Sequence, residues 1–381
     1  MLINNFEKKQ AINFFKNLKE EYYKNFKTKS IQLLIVGHIL PDTISYYNIL
    51  DELFDIIYII PKPNSINPEA LEELNTKGFP ILKIDREDLR NNPSFFLRKL
   101  KNKVNKQFIV LDIGGYFSPL IEKLKREYGG IFLGVIEDTE NGHQKYEQLK
   151  NSSIPIFSVA RSPLKNPEDY LVGQSIVFSA EYVLRMNNNL LNNKEVGVIG
   201  FGKIGRSIAQ NLFIRNIKTK IYDSNPQQQI QAYSYGYDIS SKREFLKNSS
   251  IIFCATGNSA LEQDDFQELS NGTYIASVTS SDDEMDLHLI KNQYKISKIN
   301  EFTDLYQGNK NYFYLLNKGN AINFLHNAVV GSFIYLIQAE IFVLIKNLAT
   351  FKGGCDNIFE CRQEIRNKIA TIWIKCFTKK S

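Results

Sequence analysis

The run Val196-Gly-Val-Ile-Gly200-Phe-Gly202-Lys203-Ile204-Gly205 combines residue types that can hold a diphosphate. An apolar stretch ends in glycines spaced G-x-G-x-x-G, and the segment that follows, to Arg215, carries Ile208, Leu212 and Phe213 at helical spacing. Strand, turn and helix in that order bring helix-end amides to an anion. Gly200 permits the tight turn, Gly202 lets backbone approach the ligand, and Gly205 lets the helix pack on the strand. A second apolar segment, Lys220-Ile-Tyr-Asp223, ends in an acid 18 residues after Gly205 (223 − 205), where a carboxylate that binds a ribose 2′-hydroxyl is expected. The pattern points to a dinucleotide, and the acid favours NAD over the 2′-phosphate of NADP. The competing reading is a glycine turn without ligand, with Asp223 a solvated turn acid before Asn225-Pro226.

The elements that must position these groups alternate between strand and helix. An opening helix, about 6–26, leads to apolar strands at 31–36, 55–60, 107–112 and 131–136. The second is closed by Pro61 and Pro63, the third by Gly114-Gly115, and the fourth runs into Glu137-Asp138-Thr139. A long helical pattern, 169–191, reads as a connection between domains. Strands at 250–258 and 273–278 join the glycine-rich unit, an apolar helix at 328–348 returns the chain, and 357–376 reads as a terminal amphipathic helix. Strands separated by helices imply mostly parallel sheets with ligand groups at the strand ends. The fold class expected is α/β, with two doubly wound domains around a cleft, one of them a Rossmann NAD-binding domain. Residues 175–327 are assigned to the NAD domain, and residues 1–174, completed by the helices of 328–381, to a substrate domain.

Composition removes several classes of function. The 381 residues, 43% hydrophobic, suffice for two domains, and the net charge of +6 comes from Lys and Arg interleaved with Asp and Glu. Nucleic-acid binding is not expected. Cys254, Cys355, Cys361 and Cys376 form no zinc pattern, no metal site is assigned, and the N-terminus lacks a secretory signal, which together read as a cytoplasmic protein. The apolar stretch 328–346 has Gln338 and Glu340 in its middle and reads as a buried helix rather than a membrane span.

The glycine unit, Tyr222-Asp-Ser-Asn-Pro226, Ala255-Thr-Gly-Asn258 and Asp282-Asp-Glu-Met-Asp286 resemble, in order, motifs of the adenosylhomocysteinase family. Gly37-His38-Ile-Leu-Pro-Asp42-Thr43, Leu111-Asp-Ile-Gly-Gly115, Glu137-Asp-Thr-Glu-Asn-Gly-His143 and Ser162-Pro-Leu-Lys-Asn-Pro-Glu-Asp169 extend the resemblance to the N-terminal half. That family oxidises a ribose 3′-hydroxyl with tightly held NAD, eliminates homocysteine, adds water and reduces the ketone again. The resemblance implies that Lys165 and Asp169 lie beside the 3′-hydroxyl, that Asp138 takes the place of a substrate-binding glutamate, and that His38 sits near the leaving group. It also implies that Thr139, Thr256, Gly257, Asn258 and Asn323 line the cofactor together with Gly200, Gly202, Lys203, Ile204, Gly205 and Asp223. Bland readings stay open beside these: an exposed i, i+4 ion pair for Lys165 and Asp169, a capping or core histidine for His38, and turn formers for Thr256, Asn258 and Asn323.

The departures matter as much. Ile113 stands where the family has the aspartate that handles the 4′ proton, and Ser280 where it has a histidine at the oxidised carbon. Leu40, Ala160, Tyr170 and Val329-Val330 replace nucleoside contacts, and Thr378-Lys-Lys-Ser381 has no clear equivalent of the family's final Lys and Tyr. The expectation is an NAD-dependent oxidoreductase acting on a secondary alcohol of a nucleoside or similar polyol, without ordinary adenosylhomocysteine hydrolysis. A divergent hydrolase and a non-catalytic NAD-holding protein are the alternatives. The partner expected is a small-molecule substrate, with no nucleic acid or membrane, and a homo-oligomer is compatible with the sequence.

Overall fold

The computed structural model describes residues 5–149, 153–278, 284–354 and 358–378. Its contacts divide the chain into two compact units, residues 1–165 with 331–381, and residues 166–330.

The first unit is built on a six-stranded sheet. Its strands in chain order are β1 (Ile31–Ile39), β2 (Asp55–Ile66), β3 (Gln107–Asp112), β4 (Phe132–Glu137) and β5 (Ile156–Ser158), joined by a two-residue strand Ile358–Phe359. Every pairing is parallel, in the order β2-β1-β3-β4-β5 and then Ile358–Phe359. The strands are near-continuous apolar runs because both faces of the sheet are covered. One face packs on Phe14, Phe15, Leu18 and Phe342, the other on Phe96, Phe117 and Leu124. Two expectations are corrected. Strand β2 does not stop at Pro61 and Pro63 but continues to Ile66, with Gly37 opposite Pro61, because an edge strand tolerates residues that cannot donate. Ile358 and Phe359 are not helical: they extend the sheet beside Ile156 and Phe157, and the terminal helix is Gln363–Phe377.

The apolar helix expected near the end is Ile334–Ala349, and the stretch Gly331–Ala349 is long and apolar enough to cross a membrane by length and composition. Most of it is buried inside this unit. Glu340 in its middle is fully buried and accepts from Ser162 Oγ and, at 2.8 Å, from Arg366 Nε, which is how a carboxylate survives in that setting.

The second unit contains β6 (Val196–Ile199), β7 (Thr219–Tyr222), β8 (Asp238–Ile239), β9 (Ile251–Cys254), β10 (Thr273–Ser277), β11 (Lys295–Asn300), β12 (Thr303–Gln307) and β13 (Tyr312–Leu316). The order β8-β7-β6-β9-β10-β13 is parallel throughout, the doubly wound Rossmann order, and β12 and β11 extend it antiparallel. The long helix is Asn166–Met186. Its Ile176, Val177, Ala180, Val183 and Leu184 are buried in the core that also holds Ile208 and Leu212. Gly173 makes the approach of the two helices possible: a Cβ there would lie 2.2 Å from Ser207 Oγ and 2.9 Å from the Ile208 amide.

Candidate functional site

In the second unit the strand order reverses between β6 and β9, and a ligand belongs in the crevice beyond their carboxyl ends. The glycine turn follows β6. Gly200 has φ +94°, and a Cβ there would meet the Ala255 carbonyl at 2.5 Å. Gly205 packs so tightly that a Cβ would lie 1.9 Å from the Gly200 carbonyl oxygen. Gly202 is different, because a Cβ on it would meet nothing within 4 Å. It caps the helix Lys203–Ile214 without a side-chain bond, so the helix N-terminus is open where a side chain at 202 would stand. That is the geometry a diphosphate needs.

Asp223 stands just beyond β7, where its Oδ2 accepts from the Phe201 amide at 2.6 Å and its Oδ1 from Asn225 at 2.8 Å. Asp223 thus fixes the turn. Beyond β9, Thr256, Gly257 and Asn258 form the loop across the crevice. Glu284, fully buried, accepts from the Thr256 amide and hydroxyl at 3.2 and 2.7 Å and from Gly257 at 2.8 Å. Asn323 lies in the turn Ile322–His326, and its buried Oδ1 has no hydrogen-bond partner, an orphaned acceptor suited to a carboxamide N–H. Open space at Gly202, the carboxylate of Asp223 beyond β7 and this acceptor together fit NAD, which the unit binds.

The first unit has its own strand-order reversal, between β1 and β3. Beyond β1, His38 Nδ1 and Ser65 Oγ are 2.5 Å apart, and burial with the nearby Lys62 cation pushes the imidazole down to about 3, so the ring is neutral. Beyond β3, Asp112 turns away from the crevice. It accepts from the Ile113, Tyr116 and Phe117 amides at 2.9, 3.2 and 3.0 Å and from Tyr146 at 2.6 Å. The Ile113 side chain packs against the core. No carboxylate therefore stands at position 113, and the one before it is engaged.

Glu137 closes the same loop from β4, accepting from Gly114 and Gly115 at 2.9 and 3.0 Å and from the Thr139 amide and hydroxyl at 2.8 and 2.7 Å. Burial, and the Asp112 charge after it, push Glu137 up to about 8, and burial raises Asp112. Between the ordinary carboxyl value of 4.5 and about 8 the folded protein therefore holds more protons than the unfolded chain, so stability falls as pH rises across that window. Denaturant titrations from pH 5 to pH 8.5 should show wild type losing stability relative to Glu137→Gln, and a constant difference would refute the assignment.

Lys165 Nζ bonds Asp138 Oδ1 at 2.8 Å, both side chains largely buried. Asp169, in the second unit, lies with Oδ2 3.5 Å from Lys203 Nζ. Each member of the sequence pair has a charge partner on another element. Thr139 caps the helix Glu140–Glu147 through the Gly142 amide, in addition to its bond to Glu137. His143 is a buried structural histidine, with Nδ1 2.9 Å from Ser158 Oγ and Nε2 3.1 Å from Glu147. Leu40, Ala160 and Val330 are buried and Tyr170 is exposed. Ser280, Asp282, Asp283 and the tail 379–381 lie outside the described residues. Sequence reasoning missed Glu137 and Glu284 as the buried acids that hold the loops Gly114-Gly115 and Thr256-Gly257. For Glu137 the available signal was an acid at the end of an apolar run; Glu284, among Asp282, Asp283 and Asp286, carried none.

Residues 170–329 match the family described as S-adenosyl-L-homocysteine hydrolase, NAD binding domain. The chain is similar to the adenosylhomocysteinase of Thermotoga maritima, 24% identical over 220 residues that cover 56% of this chain and 53% of that protein. It is also similar to that of Haloquadratum walsbyi, 26% identical over 160 residues, 41% of this chain and 37% of that protein. The match thus spans about half or less of the length of these relatives. Among solved structures, a 2-hydroxyacid dehydrogenase of Ketogulonicigenium vulgare is 10% identical, with a TM-score of 0.44 over 84% of this chain and 96% of that one.

Proposed function

From a divergent, adenosylhomocysteinase-like chain whose residues 170–329 are an NAD-binding domain, we propose an oxidoreductase for a secondary alcohol of a nucleoside or similar polyol. The observation that carries this reading is an asymmetry. Lys165 is kept on Asp138 at 2.8 Å, while position 113 offers a core-packed isoleucine where the relatives' second proton acceptor belongs. NAD, when bound, supplies the hydride acceptor. Lys165, as the neutral amine, takes the hydroxyl proton as the carbinol hydride passes to NAD, and Asp138 holds the ammonium that results. Elimination from the neighbouring carbon has no base. Cys254, Cys361 and Cys376 are free thiols, which agrees with a reducing, cytoplasmic setting.

The direct test is to offer nucleosides and polyols to the NAD-loaded protein and follow the absorbance of reduced nicotinamide. Reduction by at least one alcohol is expected; none across a broad panel leaves the protein an NAD-holding regulator. Adenosylhomocysteine should be hydrolysed slower than by ordinary members of the family by on the order of 10² to 10⁴, the usual loss when a positioned base is absent. Thiol release at an ordinary rate would show that another residue does this work. The bound nucleotide released by denaturation should be NAD and not NADP, because Asp223 repels a 2′-phosphate. Release of NADP would remove the ribose assignment.

A further inference from the structure

The turn that carries Lys165 is held from the C-terminal part of the first unit by buried charges that the proposed proton transfer does not use. The turn leaves β5 at Val159, whose carbonyl accepts from the Ser162 amide at 3.0 Å, and it ends in the short helix Pro163–Lys165. Ser162 is its centre. The Ser162 carbonyl accepts from the Lys165 amide at 3.1 Å, and its Oγ accepts from the Leu164 amide at 3.2 Å while donating to Glu340 Oε2. Glu340 Oε1 accepts from Arg366 Nε at 2.8 Å, and Arg366 Nη2 reaches Glu360 at 3.0 Å. Ser162 and Glu340 are fully buried, and Arg366 nearly so.

Stability alone does not account for this chain of contacts. A buried Arg–Glu pair loses much of its attraction to desolvation, and apolar residues of similar volume often serve a core equally well or better. Such residues already surround Glu340 on its helix, where Ala339, Ile341 and Leu344 are buried. What an apolar pair cannot supply is a fixed acceptor for Ser162. Glu340 supplies it from 178 residues away, and the contact lies three residues before Lys165 (165 − 162). Asp138, which accepts from Lys165 Nζ at 2.8 Å, is fixed separately, its amide donating to the Asp112 carbonyl at 3.0 Å. The two members of the Lys165–Asp138 pair thus have separate anchors, and the one on the Lys165 side runs to the C-terminal helices.

We propose that Glu340 and Arg366 are positioning residues for Lys165: they hold the Ser162 turn, and the turn sets Lys165 Nζ beside Asp138, where it accepts the alcohol proton. The inference rests on the reading of Lys165 as proton acceptor given above and names what orients it. Both residues act through the backbone of the turn and take no proton themselves. The second arm of Arg366, on Glu360, ties the terminal helix Gln363–Phe377 to the end of the strand Ile358–Phe359, which pairs with β5. The sheet edge and the turn are therefore gripped by one guanidinium.

The test uses full-length protein saturated with NAD and two changes. Ser162→Ala cuts the turn from Glu340 and leaves the ion pair in place. Glu340→Leu combined with Arg366→Met replaces the pair by apolar side chains of similar size, a change that buried pairs commonly tolerate. Unaltered circular dichroism and retained NAD qualify a variant, and either one decides. Trace acetylation with acetic anhydride, read lysine by lysine by peptide mass spectrometry, reports the hold on Lys165 without any substrate. Lys165 should become roughly threefold or more reactive, the gain that follows loss of a hydrogen bond closing the turn. Lys346, on the Glu340 helix and bonded to the Tyr22 carbonyl at 2.6 Å, should not change. With an alcohol that reduces NAD, each variant should slow hydride transfer roughly tenfold at unchanged alcohol affinity, and should slow it no further in a Lys165→Ala background. Unchanged Lys165 reactivity, an equal gain at Lys346, or the same slowing with and without Lys165 overturns the proposal. A selective gain at Lys165 with no alcohol that reduces NAD leaves the positioning role standing and removes the redox reading. Reduction of NAD by an alcohol, with Lys165 equally reactive in wild type and variant, does the reverse.

Discussion

Lys165→Ala is expected to slow hydride transfer by roughly 10² to 10⁴ while leaving NAD bound, the loss typical of a removed acid–base group. The Lys165 Nζ bonds Asp138 Oδ1 at 2.8 Å, and Lys165 precedes the Asn166–Met186 helix, outside the glycine turn. Lys165→Arg should fail nearly as badly, since a guanidinium keeps its proton and cannot accept one from an alcohol. A role confined to holding Asp138 predicts the opposite, because Arg would replace Lys as an ion-pair partner. Rapid-mixing measurements of nicotinamide reduction with wild type and both variants separate the two. Full activity in Lys165→Arg would reduce Lys165 to a positioning residue, and full activity in Lys165→Ala would remove it from the chemistry.

The second large effect is expected at the glycine turn, where two alanine substitutions should fail for different reasons. Gly205→Ala places a methyl 1.9 Å from the Gly200 carbonyl oxygen, a backbone atom that cannot rotate away. The turn must open, at a cost of about 1 to 3 kcal/mol or more, visible in both the unfolding midpoint and NAD affinity. Gly202→Ala meets no protein atom within 4 Å, so the fold should keep its stability to within about 1 kcal/mol. The methyl instead stands where the diphosphate approaches the helix end, and NAD should bind about tenfold more weakly or worse. Thermal unfolding of the protein freed of NAD, together with equilibrium dialysis of NAD, gives both readings. Normal NAD affinity in Gly202→Ala would mean that the diphosphate does not pass over this turn.

The sequence by itself determined the dinucleotide unit, because every rule it obeys is local. The glycines at 200, 202 and 205, the apolar run before them and the acid at 223 act within one strand-turn-helix-strand stretch, and the close approach of Gly205 to Gly200 is local in the chain, although that of Gly200 to Ala255 comes from the end of β9. Alternating apolar runs likewise gave the parallel character of both sheets. Hydrophobic pattern said nothing of where a strand ends at an edge, so β2 runs past two prolines, and Ile358–Phe359 became a strand only because β5 offers an open side. Tertiary structure alone decided the partners of charged groups. Lys165 finds Asp138 from 27 residues away, Glu340 finds Arg366 and Ser162, and Arg86 and Lys145 converge on Gly114 from either side in the chain. A charge is satisfied by whatever the fold brings within about 3 Å, and that proximity is set by packing of distant apolar faces rather than by spacing along the chain.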